Sequence, residues 1–250
     1  MRVIAVIPAR YASTRLPAKP LVDIHGKPMV QWVYERAKLA RSVDRVIVAT
    51  DDERILKAVK AFGGEAIMTS PDINSGTDRV AAIADQIDAD IYVNVQGDEP
   101  LMATEAINRA VSLVSSGSFK MATVMTPMHD PDDLTNKAVV KVLADKFGRS
   151  IYYSRHPIPY SRGEAPGFGG SFVCRRHVGL YAYTKDTLMR IRALPMSAIE
   201  KGEMLEQLRA MEDGISIGIT EVNFTSIGVD TPDELEKARK ALEAEIHGKK

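Results

Sequence analysis

The chain alternates short β-branched apolar runs with longer segments whose apolar positions recur three or four residues apart. Residues 3–7 (V-I-A-V-I) form the first such run. They are too few for a helix and stop at Pro8, which has no backbone donor, so a strand buried on both faces is predicted. Residues 29–40 carry Val30, Val33, Ala37 and Ala40 at helical spacing after a Gly26-Lys27-Pro28 turn. A strand over 43–50 follows, with Asp51 as the expected N-cap of a helix over 52–62 that stops at Gly63 and Gly64. Further on come a short strand at 65–68, a small polar loop at 69–79, a helix at 79–87, a strand at 91–95, a helix at 102–113 and a strand at 121–125. Strand and helix in strict alternation argue for βαβ units. The fold class expected is α/β, with a mainly parallel or mixed twisted sheet and helices on both faces.

Beyond residue 130 the pattern changes. Residues 138–153 alternate around Lys146-Phe147-Gly148 and read as a β-hairpin. Residues 154–171 are rich in proline and glycine, a long irregular stretch of the kind kept for binding or left mobile. A strand at 178–184, helices at 185–191 and 203–211, strands at 215–219 and 224–229 and a closing amphipathic helix at 231–246 complete the expectation. The organisation predicted is one domain over 1–250 with a hairpin and loop insertion at 130–175.

Composition narrows the function classes. Lys plus Arg and Asp plus Glu both number 33, so the chain has zero formal net charge, without the basic footprint of a nucleic-acid binder. Any anion site is local. Cys174 is the sole cysteine, which excludes an internal disulfide and a thiolate metal cluster and suits a reducing compartment. The apolar start is too short for a signal-peptide core, and no run of about 18 apolar residues occurs, so a soluble cytoplasmic protein without membrane insertion is expected.

The chemistry-bearing residues cluster after predicted strands. Arg10, Ser13, Thr14, Arg15 and Lys19 put three cations and two hydroxyls in a loop stiffened by Pro17 and Pro20. Guanidinium forks and an ammonium are groups that meet phosphate oxygens, and ligands of open α/β sheets sit outside the carboxyl ends of the strands. A solvated basic loop is the alternative. Asp98 follows the strand at 91–95, where it also fits as a cap for the next helix. Asp230 is not needed as a cap, because Thr231, Pro232 and Glu234 already supply an N-cap, a first-turn proline and a capping-box acid. Two carboxylates on separate supports facing a phosphate cradle suit Mg²⁺, with substrate phosphate and water completing its octahedron. The 75–79 segment equally fits plain helix capping, and His177, Tyr181, Glu206 and Gln207 carry no local signature. Neither a G-x-x-x-x-G-K-[ST] loop nor a G-x-G-x-x-G turn after the first strand is present, which argues against P-loop and dinucleotide enzymes.

Six stretches together carry a family resemblance: I-P-A-R-Y-A-S-T-R-L-P-A-K-P-L (7–21), S-G-T-D-R (75–79), V-N-V-Q-G-D-E-P (93–100), R-H-V-G-L-Y-A-Y (176–183), E-M-L-E-Q-L-R (203–209) and G-V-D-T-P-D-E-L (228–235). In register over nearly the whole chain, they resemble the 3-deoxy-manno-octulosonate (Kdo) cytidylyltransferases, or CMP-Kdo synthetases. The resemblance implies a glycosyltransferase-A-like, Rossmann-like nucleotidyltransferase fold, Mg²⁺ dependence and a homodimer formed through the 130–175 insertion. It further implies the reaction CTP + Kdo → CMP-Kdo + diphosphate, for lipopolysaccharide biosynthesis. On this reading Arg10 and Lys19, with Pro8, Ala9, Ser13 and Thr14, hold the triphosphate, and Asp98 and Asp230 hold the metal. Ser75, Arg79, Gln96 and Gly97 face the cytidine. Arg15 suits the sugar carboxylate, while His177, Tyr181, Glu206 and Gln207 bind the rest of the sugar. One departure is His156 in R-H-P-I-P, where the family pattern has alanine. Rival readings are activation of a related ulosonate (8-amino-Kdo, capsule Kdo or a nonulosonic acid) and a non-catalytic nucleotide-binding homologue.

Overall fold

A computed structural model describes residues 1–12, 16–73, 75–128, 130–160, 174–224 and 227–248. In chain order the elements are β1 (Val3–Ala9), β2 (Asp23–Ile24), β3 (Lys27–Pro28), α1 (Met29–Lys38), β4 (Arg45–Thr50), α2 (Glu53–Ala61), β5 (Ala66–Met68), α3 (Gly76–Ala84), β6 (Ile91–Val95) and α4 (Thr104–Ser115). They continue with β7 (Met121–Thr126), β8 (Lys141–Ala144), β9 (Ser150–Ser154), β10 (Arg175–Thr184), α5 (Lys185–Ala193), α6 (Ala198–Glu203), α7 (Gln207–Glu212), β11 (Ile217–Glu221) and α8 (Pro232–Gly248). The chain folds as two compact units, residues 1–108 with 225–250, and residues 109–224. The β8–β9 hairpin lies inside the second unit. Among the described residues no helix is long and apolar enough to cross a membrane.

The first unit is built on four parallel strands in the order β6-β1-β4-β5. β1 is central, and Ile4, Ala5, Val6 and Ile7 are fully buried, as expected for a strand covered on both faces. The strand runs through Pro8 to Ala9 rather than stopping at Ile7. On the β6 side the ladder has already ended at Val6, so the missing donor of Pro8 falls where that edge is unpaired. A satellite core of Ile24, Met29, Leu101, Val229, Leu235, Ala238 and Leu242 packs α8 beside the β2–β3 turn and α1. This packing places the start of α8, and with it Asp230, beside the β6 loop.

The second unit is mixed. β11 and β7 are parallel, β7 and β10 antiparallel, and β10 continues antiparallel to β8, which pairs with β9 as the predicted hairpin. Gly148, at φ 75°, closes the hairpin turn, and its carbonyl accepts from Ile219 N at 2.8 Å, tying the turn to β11.

Four local expectations are corrected. Asp52, not Asp51, caps α2, its side chain accepting from Arg54 N, because Asp51 is drawn off to an ion pair with Arg79. α3 begins at Gly76 rather than Arg79, with Ser75 Oγ accepting from Asp78 N at 3.0 Å. The helix expected at 203–211 forms only from Gln207, as α7: Glu203 instead ends α6, and Met204 in the left-handed conformation (φ 54°) separates the two. Tertiary partners hold that break: the Glu203 carboxylate accepts from Ser154 Oγ and Arg155 N (2.6 and 2.9 Å), while Arg155 Nε donates to the Glu203 carbonyl. Finally, the described part of 224–229 is not a strand. It has no ladder partner, and Val229 is instead buried in the satellite core with its N–H donated to Asp98 O at 2.9 Å.

Candidate active site

In the first unit the chain leaves β1 at Ala9 and β6 at Val95, and the segments that follow line one cavity of about 380 Å³. Pro8, Ala9, Arg10 and Lys19 come from the first segment and Gln96, Gly97 and Asp98 from the second. The start of α3 contributes Ser75, Gly76 and Arg79, and the residue ahead of the α8 cap contributes Asp230. Gly97 is required by proximity: a Cβ there would lie 2.7 Å from the Pro8 carbonyl oxygen. The start of α3 thus lines the cavity, and a helix N-terminus carries a partial positive charge that favours an anion. Arg10 is exposed at this site.

Asp98, Asp230 and Lys19 form its charged centre. Lys19 Nζ donates to Asp98 Oδ2 at 2.7 Å and to Asp230 Oδ1 at 2.9 Å. Burial by itself would lower the Lys19 pKa, but the Asp98 charge and the hydrogen bonds that Lys19 donates to both carboxylates outweigh it, and the net shift is upward. Lys19 is therefore a firmly held ammonium. The Asp230 carboxylate is not part of the helix cap, because Glu234 Oε2 accepts both Asp230 N and Thr231 N (2.8 and 2.9 Å), and Thr231 Oγ1 accepts from Glu234 N, completing the capping box without it. Two carboxylates from different segments thus converge on one cation position. Among the described residues no group of three or more His, Cys, Asp or Glu side chains is placed to hold a metal. A pair of carboxylates is nonetheless the donor set of a Mg²⁺ that takes its remaining oxygens from substrate phosphate and water, so the residues present fit that ion.

Arg79 and Gln96 occupy different roles. The Arg79 side chain is 1% exposed, and its guanidinium donates to Asp51 Oδ2 at 2.9 Å, to Ile73 O at 3.0 Å and to Thr69 Oγ1. Burial draws its pKa down, the Asp51 charge offsets part of this, and the Arg10 charge adds to the lowering. Arg79 thus anchors the 69–75 loop to the end of β4, with Asp51 as a partner that local capping rules had assigned elsewhere. Gln96 Nε2 donates to Asn94 Oδ1 at 3.3 Å, which orients its amide.

The expected sugar-binding residues lie in the second unit and have another character. His177 and Tyr181 sit on β10, their rings 5.4 Å apart, and Tyr153 from β9 meets His177 edge-on at 4.9 Å. Burial pushes the His177 pKa down to about 3, so its imidazole is neutral. Burial holds the Tyr181 phenol well above its usual range, reinforced by Tyr153, Tyr183 and the Glu206 charge. Glu206 immediately precedes α7 and Gln207 opens it. Gln207 is 5% exposed, and its Nε2 has no hydrogen-bond partner among the described residues. A buried amide donor left open in this way is a group a ligand would satisfy. Ser13, Thr14 and Arg15 lie outside the described residues. His156 is exposed, and its backbone N–H donates to Ser154 Oγ at 3.0 Å.

Sequence reasoning missed Asp51, Thr123, Tyr153, Arg155 and Glu203. Glu203 and Arg155 stood inside quoted motifs, but nothing local marks their mutual contact. Thr123 sits in an apolar strand run, and its neighbour His177 lies 54 residues away in the chain.

Parallel strands carry a two-acid, one-lysine cluster beyond their carboxyl ends, with a helix N-terminus lining the same cavity, and comparison with known proteins places a chain built this way among the nucleotidyltransferases. A nucleotidyltransferase from Methanothermobacter shares the fold at a TM-score of 0.61 and 13% identity, over 96% of this chain and 97% of its own. The Cytidylyltransferase family model matches residues 4–217. At finer resolution, a 3-deoxy-manno-octulosonate cytidylyltransferase of Pelobacter propionicus is 48% identical, over 98% of each chain. That of Geobacter sulfurreducens is 47% identical over 97% of this chain and all of its own. A solved structure of CMP:2-keto-3-deoxy-manno-octonic acid synthetase complexed with CTP superposes at a TM-score of 0.91 with 43% identity, covering 98% of this chain and all of that one. The chain belongs to the 3-deoxy-manno-octulosonate cytidylyltransferases.

Proposed function

We propose that this enzyme transfers CMP from CTP to Kdo, releasing diphosphate, as a Mg²⁺-dependent step that supplies the activated sugar for lipopolysaccharide. The observation that carries the reading is the convergence of Asp98 and Asp230 on one cation position inside the cavity that Arg10 and the start of α3 also line, in a chain nearly half identical to named Kdo cytidylyltransferases along its length. Arg10, Lys19 and the α3 N–H groups bind the phosphates of CTP, and Ser75, Gln96 and Gly97 line the cytidine side, with Arg79 holding the surrounding loop. Asp98 and Asp230 hold the divalent ion, which when bound neutralises charge at the α-phosphate. His177, Tyr181, Glu206 and Gln207, together with Arg15, bind and orient the sugar. Its anomeric hydroxyl attacks the α-phosphorus in line, the P–O bond to the β-phosphate breaks, and diphosphate leaves with the electron pair. With no covalent enzyme intermediate, the residues act by positioning and charge compensation.

The active form proposed is a cytoplasmic homodimer joined through the hairpin region. Phe147 and Ile151, 74% and 54% exposed on that hairpin, support this, being large apolar side chains otherwise left to water. Diphosphate release from CTP tests the reaction, with Kdo, 8-amino-Kdo or N-acetylneuraminate as acceptor and each repeated with EDTA. Release that requires both Kdo and the metal is expected. Release with another acceptor and none with Kdo overturns the sugar assignment.

A further inference from the structure

β10 is not a regular strand opposite β7. His177 faces Met125 and Val178 faces Val124, but the next paired residue is Tyr181, facing Thr123, so Gly179 and Leu180 form a bulge with no counterpart. The bulge brings two backbone carbonyls to one hydroxyl: Thr123 Oγ1 lies 2.6 Å from Leu180 O and 3.3 Å from Val178 O. The same oxygen lies 3.1 Å from His177 Nε2, and Thr123 is fully buried.

A threonine hydroxyl has one proton. Two oxygens at 2.6 Å inside a core repel unless a proton lies between them, so that proton is committed to Leu180 O. Thr123 Oγ1 then has only lone pairs to offer His177, and the imidazole must supply the proton of their hydrogen bond from Nε2. In a neutral imidazole the other nitrogen, Nδ1, is then an acceptor. Among the described residues Nδ1 has no hydrogen-bond partner, and His177 keeps 9% of its surface exposed. The rings of Tyr153 and Tyr181 pack against the imidazole.

We propose that Thr123 is a positioning residue that fixes His177 as its Nε2–H tautomer, so that Nδ1 presents a lone pair to a sugar hydroxyl instead of an N–H to the sugar carboxylate. The inference rests on the reading that His177 belongs to the sugar subsite. It adds a rule for the acceptor: a hydroxyl donor at this position is required, and an acceptor lacking it is rejected.

The test joins a spectrum to kinetics. Nitrogen-15 NMR of the histidine-labelled protein without substrate is expected to give His177 as the Nε2–H tautomer. Thr123→Val, which keeps the side-chain shape, is expected to mix or invert the tautomers and raise the KM for Kdo roughly 5- to 20-fold, with the KM for CTP unchanged, and Thr123→Ser is expected to restore both. A wild-type Nδ1–H tautomer overturns the proposal even if the valine variant does not fold. A tautomer change with no change in the Kdo KM also overturns it, and His177→Ala then separates the causes. If that variant raises the Kdo KM, His177 does bind sugar and Thr123 is incidental. If it does not, the placement of His177 itself is wrong.

Discussion

The cavity of the first unit and the aromatic cluster of the second handle polarity in opposite ways. Around Lys19, Asp98 and Asp230 the charges are formal and partly exposed, with the three side chains 17%, 28% and 39% accessible. Around His177 the rings are buried, and burial itself keeps the imidazole and the Tyr181 phenol neutral, with the Glu206 charge reinforcing the phenol. The difference follows the substrates proposed for each. A triphosphate and a divalent ion bring charge, which is best met by charge that water can reorganise around. A sugar brings hydroxyls, and discriminating hydroxyls needs fixed donors and acceptors in a dry setting, where an unmatched group costs about 1–3 kcal/mol.

Removing a charge from the first region breaks this comparison most severely. Asp98→Asn and Asp230→Asn are each expected to lower kcat about 10³-fold with the thermal melting curve unchanged, as an electrostatic group acting on the reacting phosphate requires. Turnover near wild type in either variant removes the metal pair. Lys19→Met comes next. It frees both carboxylates from a competing ammonium, so the half-saturating Mg²⁺ concentration should fall while kcat/KM for CTP drops about 10²-fold. A rise in the Mg²⁺ requirement instead would mean that Lys19 helps hold the metal site rather than competing for it.

The second region is sharpened by pH. With its pKa near 3 in the fold and near 6.5 in the unfolded chain, His177 takes up its proton in the unfolded state first as pH falls. Its contribution is therefore absent as a cost above about pH 6.5 and grows steadily down to about pH 3. Between pH 7 and pH 5 wild type should lose about 2 kcal/mol relative to His177→Asn. Denaturant unfolding at the two pH values measures this, and parallel losses in both proteins refute the neutral buried imidazole. The smallest effect expected is on binding: His177→Ala should raise the KM for Kdo about tenfold and leave that for CTP within about twofold. A larger change in the CTP term moves His177 to the nucleotide.

Much of the frame was legible along the chain because it is written in local periodicity. The strand at 91–95 was read to the residue, the hairpin at 138–153 in kind and place, and the α8 capping box at Thr231 and Glu234 with Asp230 left over. The misses share one cause. Asp51 and Asp52 are equally good caps by local rule, and the choice falls to Asp52 because a buried Arg79 needs Asp51. The 203–211 segment has helical spacing throughout, yet Arg155 and Ser154 hold Glu203 at its start, where the chain turns before α7. Pro8 reads as a strand end, and the unequal lengths of the two neighbouring ladders carry the strand past it.

Sequence by itself determined the class of element at most positions, the place of the basic loop after the first strand and of the two acids and, through motifs spread over the whole chain, the family. These follow from side-chain chemistry and from spacings of two to four residues, which a linear chain carries explicitly. Tertiary structure decided which cation the acids share, that Arg79 serves the loop, and how His177 is protonated. Each of those depends on partners dozens of residues apart, brought together by packing that no local spacing encodes, and a buried proton goes to whichever acceptor the fold places nearest.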